Sequence, residues 1–315
     1  MTMERLVVSV ATRQRPQQLV SSLARHCACF SRQNTVVVVQ CDADDFGTIA
    51  VLSGIKLDPR VKINVKPRED TVAGKWNRGL DEPGDLYLNA SDDDPYVNPD
   101  TDAKLLEAAS RFPDGIGMVY GRNANASFPS VIAYTRKWSE KCGGKLQPEY
   151  FPYWFADHWT DDIGRIIQRI SFADVGTDQS QAGKTMEMRE PGWWATWFDA
   201  AYLMRRSQAA AIINNPEFDS PQWQKDMMLR GHPMVEFRSR WINDQVRGQS
   251  RQLDAMSGLA LADERYQRIK AAAVAMVPHL LGDYGMDKGE AARFREILDP
   301  PKVVQAIPQL YAVAS

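Results

Sequence analysis

Asp92, Asp93 and Asp94 stand in a row one residue beyond Asp85-Leu86-Tyr87-Leu88-Asn89-Ala90, a run with the character of a buried strand. Three adjacent carboxylates repel one another unless a cation or water offsets them. A hard divalent ion such as Mg2+ or Mn2+ prefers oxygen ligands and often shares them with substrate phosphates. Asp94 and Asp92 are therefore the candidate metal ligands, with His158, a histidine set among carboxylates and aromatics, as a third. His232 competes with His158 for that place, and a lone histidine is more often structural. The same triplet also describes a solvated acidic turn ahead of a helix, so its meaning depends on what surrounds it.

The surrounding elements alternate. Leu6 to Val10 and Thr35 to Val39 are near-continuous apolar runs, as expected of parallel strands covered on both faces. Val61 to Val65 alternates like a strand nearer an edge, Leu86 to Leu88 is a fourth strand and Gly115 to Tyr120 a fifth. Between them, Arg15-Pro16 opens a helix in which Leu19, Val20, Leu23 and Cys27 keep helical spacing, and Thr71 to Leu80 forms a short one. Asn98 is expected to cap the next helix and Pro99 to start it. This rhythm predicts an α/β, doubly wound, mainly parallel sheet, which binds ligands beyond the carboxyl ends of its strands. Polar clusters follow four strands: Thr12 to Arg15, Gln40 to Asp45, Pro67 to Asp70 and Asn89 to Asp94. Together they predict a cleft.

After about residue 121 the pattern changes. Val131 to Tyr134 is a short strand, followed by an aromatic belt from Tyr150 to Trp159. Ile163, Ile166, Ile167 and Ile170 keep helical spacing. Residues 174 to 192 read as a loop or lid, and Trp193, Trp194 and Trp197 begin a helix running to about Ile213. The rest looks mainly helical. The expected division is a catalytic domain over 1–215 and a helical C-terminal extension over 216–315, on the acceptor side.

The chain of 315 residues can bury a real core, and 44% hydrophobic with 25% charged residues is an ordinary globular composition. A net charge of −2 predicts no nucleic-acid or membrane partner by itself. No apolar segment approaches the roughly 20 residues that cross a bilayer. Met1 to Arg5 leads straight into a strand, so no signal peptide is expected. Cys27, Cys29, Cys41 and Cys142 form no Cys-x-x-Cys pair and read as reduced thiols of a cytoplasmic protein.

Four residue groups stand in a familiar order. Val10 to Pro16 resembles the opening strand and turn of the GT-A glycosyltransferases, especially the family 2-like members. Val38 to Asp45 is similar to their second strand with its acidic nucleoside-contacting end, although Gln40-Cys41-Asp42 replaces the consecutive acidic residues more usual there. Gly74-Lys75-Trp76-Asn77-Arg78-Gly79-Leu80 resembles their Gly-Lys…Asn-x-Gly helix, and Asn89 to Asp100 their Asp-x-Asp segment and following helix. The likeness spans roughly residues 5 to 120. It implies a metal-dependent transferase that takes a sugar from a nucleotide-diphosphate donor, most often UDP-linked, with Mn2+ or Mg2+ on the phosphates. By position it implies donor contacts from Thr12, Arg13, Arg15, Asp42, Asp70, Lys75, Arg78, Asp92 and Asp93. The metal would neutralise charge on the departing diphosphate, and nearby cations would add to this.

Inverting transfer needs a carboxylate that takes the acceptor proton. The family places it at the start of a helix well after the Asp-x-Asp segment, and Asp157 to Arg165 resembles that site. With Thr160 as N-cap, Asp161 and Asp162 would sit in the first turn, Asp162 being the first choice of base; acidic residues there also simply stabilise a helix start. Trp154, Trp159, Trp193 and Trp194 are candidate stacking surfaces for the acceptor, about half of them expected to be core. Residues 225 to 251 carry six basic against three acidic residues, which suits a phosphate-bearing polymer. Some relatives glycosylate hydroxymethylated bases of viral DNA, so DNA is one expected acceptor, its base flipped into the site; a viral enzyme would act in the host cytoplasm. The competing readings are a nucleotidyltransferase and a non-catalytic nucleic-acid-binding protein on a degenerate nucleotide fold. Thr12 to Pro16 holds no glycine, which disfavours the nucleotidyltransferase.

Overall fold

The computed structural model describes residues 3–121, 131–152, 155–178, 190–215 and 263–300. Its apolar runs become the strands of one sheet: β1 (Leu6–Ala11), β2 (Val36–Asp42), β3 (Val61–Lys66), β4 (Leu86–Ser91), β5 (Met118–Gly121), β6 (Ile132–Thr135) and β7 (Ile170–Ala173). Their order is β3-β2-β1-β4-β6-β5-β7. Neighbouring strands pair in parallel except where β6 lies antiparallel between β4 and β5. The expected α/β class, a doubly wound, mainly parallel sheet, is the class found.

Both faces are covered. Leu6, Val8, Val10, Val37, Val39, Leu86 and Leu88 point to one side, where helices α1 (Pro16–Ala28), α2 (Phe46–Ser53) and α4 (Thr101–Ala109) pack. Val7, Val36, Val38, Tyr87, Met118, Tyr120 and Tyr134 point to the other. That side is closed by α3 (Val72–Asn77), α5 (Arg136–Lys141), α6 (Ala156–Ile166), α7 (Pro191–Ala200), α8 (Tyr202–Ile213), α9 (Glu264–Gly282) and α10 (Lys288–Leu298). Double coverage explains why the central strands are apolar throughout rather than alternating. β3 ends the sheet. Its exposed Lys62 and half-buried Lys66 pair with Glu82 and Asp81, which suits a strand with an open edge.

Several boundaries differ from the sequence reading. α4 starts at Thr101, after Asp100 in the left-handed region (φ 57°), rather than at Pro99 under an Asn98 cap. The Asn98 Oδ1 instead accepts from the Gly176 N–H at 2.7 Å. α6 starts at Ala156, so Thr160 is a mid-helix residue whose hydroxyl bonds back to the Asp157 carbonyl at 3.0 Å. Ile170 keeps helical spacing but pairs with Met118 as the first residue of β7, and the chain turns at Gln168 with φ 56°. The helix expected from Trp193 to Ile213 is two, broken at Ala201. α2, capped by Asp45, is an element the periodicity did not indicate.

Candidate active site

Reading along the sheet, β1, β2 and β3 run one way from the centre and β4 lies on the other side of β1. The connections therefore diverge between β1 and β4, and a crevice opens beyond their carboxyl ends. Thr12 and Asp92 leave the paired ends Ala11 and Ser91 and bridge this crevice: the Thr12 hydroxyl donates to Asp92 Oδ2 at 2.7 Å. Arg15, at the mouth of α1, reaches across with two contacts, 2.8 Å to Asp92 Oδ1 and 2.7 Å to Asp93 Oδ2. Ser91 Oγ donates to the other Asp93 oxygen at 2.6 Å. Asp92 is fully enclosed, and burial raises its pKa to about 6 against the opposing Thr12 hydroxyl and Arg15 charge.

α1 holds this turn from behind. Ser22 Oγ donates to the Asp92 carbonyl at 2.7 Å. His26 lies 3.2 Å from the Ser91 carbonyl through Nε2, while its Nδ1 accepts from the Tyr96 N–H at 3.4 Å. That arrangement makes the ring a neutral Nε2–H tautomer, and burial drops its pKa to about 4.

A second network forms one strand away. Asp42, the last residue of β2, is buried among cations. Its Oδ2 accepts from Lys75 Nζ at 2.7 Å and from Arg13 at 3.0 Å, and Arg78 stands 3.7 Å from Oδ1. Thr71 caps α3 by accepting from the Gly74 N–H, which aims Lys75 inward; its ammonium also donates to the Thr12 carbonyl at 2.9 Å. Burial lowers the Lys75 pKa, with Asp42 opposing. Arg78 donates from Nε to Glu69 at 2.9 Å and also reaches the Pro67 carbonyl. Arg13 forks onto Asp44 at 2.8 and 3.0 Å. Asp70 belongs to the outer rim, paired with Arg268 of α9. All nine sequence-predicted donor residues thus stand at this edge, although Asp92 and Asp93 serve it through protein partners. Asn89 lies in β4 beside Ser9, 7% exposed, and neither of its amide atoms has a hydrogen-bond partner among the described residues. A buried amide in that state favours a bound polar group.

The metal candidates separate. Asp92 faces inward to Thr12 and Arg15, and His158 pairs with Asp157, Nδ1 to Oδ1 at 2.9 Å. Among the described residues no group of three His, Cys, Asp or Glu side chains converges to hold an ion. Asp94 remains half-buried at the mouth of the crevice. One carboxylate completed by substrate phosphates is a known way to hold Mg2+, so the donor set fits a shared ion rather than a pre-built cage.

On the far face, Asp161 accepts from Tyr120 at 2.7 Å and pairs with Arg165 at 3.0 Å. Asp162 pairs with Arg205 at 3.0 Å, whose guanidinium lies 3.8 Å from the Phe198 ring centre. Both carboxylates are buried, and burial raises the Asp162 pKa. The half-exposed carboxylate in the first turn of α6 is Asp157. Burial works to raise its pKa, but the adjoining His158 outweighs this and the net shift is downward. Trp159 and Trp194 are core, 1% and 2% exposed, within a cluster with Phe151, Trp197 and Phe198. They are packing rather than open stacking surfaces. Trp193 is partly buried beneath Lys270, and Trp154, His232 and the basic stretch 225 to 251 lie outside the described residues. Asp157, Arg68 and Arg265 are functional candidates that the sequence reading passed over. The first two stood inside quoted motifs; Arg265 gave no signal, because only folding brings it to this edge.

Cys27, Cys29, Cys41 and Cys142 are free thiols, and burial lifts Cys27 and Cys41 to about 11. Among the described residues no helix is long and apolar enough to cross a membrane.

No family model matches the chain, and no curated protein matches it. Among solved structures it is similar to residues 1–349 of S. aureus TarS in complex with UDP, with a TM-score of 0.45 and 14% identity over 86% of this chain and 90% of that one. The same TarS segment in a second structure gives the same score and identity over 94% and 90%. CMP:2-keto-3-deoxy-manno-octonic acid synthetase complexed with CTP gives 0.40 and 13% over 55% and 91%. At these identities a shared backbone does not transfer substrate or mechanism.

Proposed function

We propose that the chain is a glycosyltransferase that binds a nucleotide-diphosphate sugar, with UDP as the first nucleotide to test, in the crevice beyond β1, β2 and β4. The observation that carries this reading is the convergence of Thr12–Arg15, Asp42, Lys75–Arg78 and Asp92–Asp94 into bonded networks at one edge. The Asp42 Oδ1, buried and accepting no hydrogen bond among the described residues, suits a base or ribose donor. The carboxyl ends of β1 to β4 and the segments that follow them carry Asp42, Asp44, Asp45, Glu69, Asp70, Asp92, Asp93 and Asp94 together with Arg13, Arg15, Arg68, Lys75 and Arg78. At the β4 end, where Asp92, Asp93 and Asp94 gather around Arg15, an anionic diphosphate meets more negative than positive charge, which favours its arrival with a divalent ion. Held by Asp94 and phosphate oxygens, such an ion would offset the charge that develops on the departing diphosphate.

For the acceptor hydroxyl, Asp157 oriented by His158 is the proposed base, which makes the reaction inverting by the single-displacement logic of that role. The hydroxymethylated-base acceptor rests on the basic stretch 225 to 251. A nucleotidyltransferase would favour a glycine-rich first turn; here Arg13-Gln14-Arg15 occupies it, with Gln14 at φ 56°.

Thermal unfolding with UDP, CDP, GDP and ADP, each with and without Mn2+, tests the donor reading. A ligand at about 100 times its Kd stabilises the native state by about 2.7 kcal/mol. The expected outcome is a selective rise in Tm with one nucleoside diphosphate, larger with Mn2+. No shift with any of the four overturns it.

A further inference from the structure

α9 begins far from the donor edge in sequence and arrives there in space. Arg268, in its second turn, reaches the loop after β3 and clamps Asp70, Nη2 to Oδ1 at 2.6 Å and Nε to Oδ2 at 3.1 Å, across 198 residues of chain. Arg265 stands one turn earlier on the same helix, held to Asp263 at 2.8 Å. Arg68 precedes Asp70 by two residues in the clamped loop. It is exposed, and it makes no hydrogen bond or ion pair within the described residues. On the sheet side Arg13 is fixed against Asp42 and Asp44.

The clamp thus brings the start of α9 against the loop that carries Arg68, where the Arg265 and Arg13 charges both act on Arg68. Partial loss of hydration, then Arg265, then Arg13, lower the Arg68 pKa, and only Asp44 and Asp42 oppose them. The Arg68 charge, exposed and without a carboxylate partner of its own on the clamped loop, is disfavoured by its two guanidinium neighbours, so an added anion is stabilised there. Their planar forks match phosphate oxygens two at a time.

We infer that Arg68 and Arg265, with Arg13, form an anion-binding cluster for the diphosphate of the nucleotide-sugar donor, so that α9 completes a site otherwise built by the first hundred residues. The identity of the anion rests on the glycosyltransferase reading; the cluster itself does not. Lys75 and Arg78 are committed to Asp42 and Glu69, and Arg13 and Arg265 share their donors with Asp44 and Asp263, whereas Arg68 keeps its donors for a ligand.

Titration calorimetry of the full chain with UDP, uridine and inorganic pyrophosphate tests this, in wild type, Arg68→Ala, Arg265→Ala and the two lysine variants. Charge-assisted hydrogen bonds of this type set an expected loss of about tenfold or more in UDP and pyrophosphate affinity for each alanine variant. Uridine affinity should not change, and the lysine variants should recover part of the loss. Circular dichroism confirms that each variant is folded; should Arg265→Ala unfold, Arg68→Ala and the lysine variants carry the test. Alanine variants that bind pyrophosphate and UDP as wild type does overturn the cluster and leave the glycosyltransferase reading standing. Pyrophosphate binding that depends on Arg68 and Arg265, without binding of any nucleoside diphosphate, upholds the cluster and overturns that reading instead. Wild type that binds neither overturns both.

Discussion

Asp157 and Asp162 sit on one helix, and their surroundings treat them differently. Asp162 lies in the core, where Arg205 neutralises it between Phe198 and Trp159. Asp157 is in the first turn, half-exposed, with His158 at its carboxylate. A general base must first reach the acceptor proton, and only then does its pKa matter. The raised pKa of Asp162 would suit a base, but its enclosure does not; the lowered pKa of Asp157 keeps it ionised and ready at neutral pH. Asp157→Asn should lower kcat by about a hundredfold or more while unfolding like wild type. Asp162→Asn should leave the Arg205 charge unpaired in the core and cost about 3–5 kcal/mol. Single-turnover rates and urea unfolding of both variants decide the matter. A stable but inactive Asp162→Asn beside an active Asp157→Asn would return the catalytic role to Asp162.

At the scale of elements, α1 and the turn after β4 act as a unit, and their two buried titratable groups oppose each other. Folded Asp92 titrates near 6 against an ordinary 3.8, so between those values the native state keeps a proton that the unfolded chain releases. Stability from this group falls by about 3 kcal/mol as pH rises through that window. Folded His26 titrates near 4 against 6.5, so the unfolded chain takes up a proton the native ring refuses. Its contribution falls by a similar amount as pH drops from 6.5 to 4. In wild type the two slopes largely cancel. Removing one exposes the other: relative to wild type, Asp92→Asn should gain stability as pH rises from 4 to 6, and His26→Gln should lose it. Urea unfolding at half-unit pH steps reads both, and variant curves that run parallel to wild type would refute the assignment. The strands of this region were legible in the sequence because two covered faces demand unbroken apolar runs such as Val36 to Val39. Their polar ends were legible because parallel strands bring all their carboxyl ends to one edge. What escaped were choices settled by tertiary partners. Ile170 joined β5 rather than α6, and Asn98 served Gly176 rather than a helix start. α2 is apolar on all sides and opens on an exposed Phe46 and a glycine, so it offered no period to read. No local rule could pair Arg15 with Asp92 or Arg268 with Asp70, which are joined only by the fold.

Across the whole molecule, the helices after residue 190 close the face of the sheet that carries Tyr87, Tyr120 and Tyr134. The seal is made by indoles with fixed partners. Trp197 Nε1 donates to the Ala273 carbonyl at 2.9 Å, Trp194 Nε1 to the Tyr266 hydroxyl at 3.2 Å, and Trp193 Nε1 reaches the Leu298 carbonyl at 3.4 Å. Lys270 adds an ion pair to Glu190 at 2.6 Å. A chain ending at residue 215 would keep these tryptophans but lose every one of those partners, and would leave large aromatic surfaces in water. Exposed apolar surface on that scale drives association. It would also lack Arg265 and Arg268 at the donor edge. The prediction is that the full chain unfolds in urea with coincident transitions by tryptophan fluorescence and far-ultraviolet circular dichroism, as one cooperative unit does. The 1–215 fragment should aggregate or unfold without a cooperative transition. A soluble, monomeric fragment with a transition matching the full chain would show instead that the first 215 residues form an independent body, with α9 and α10 only docked upon it.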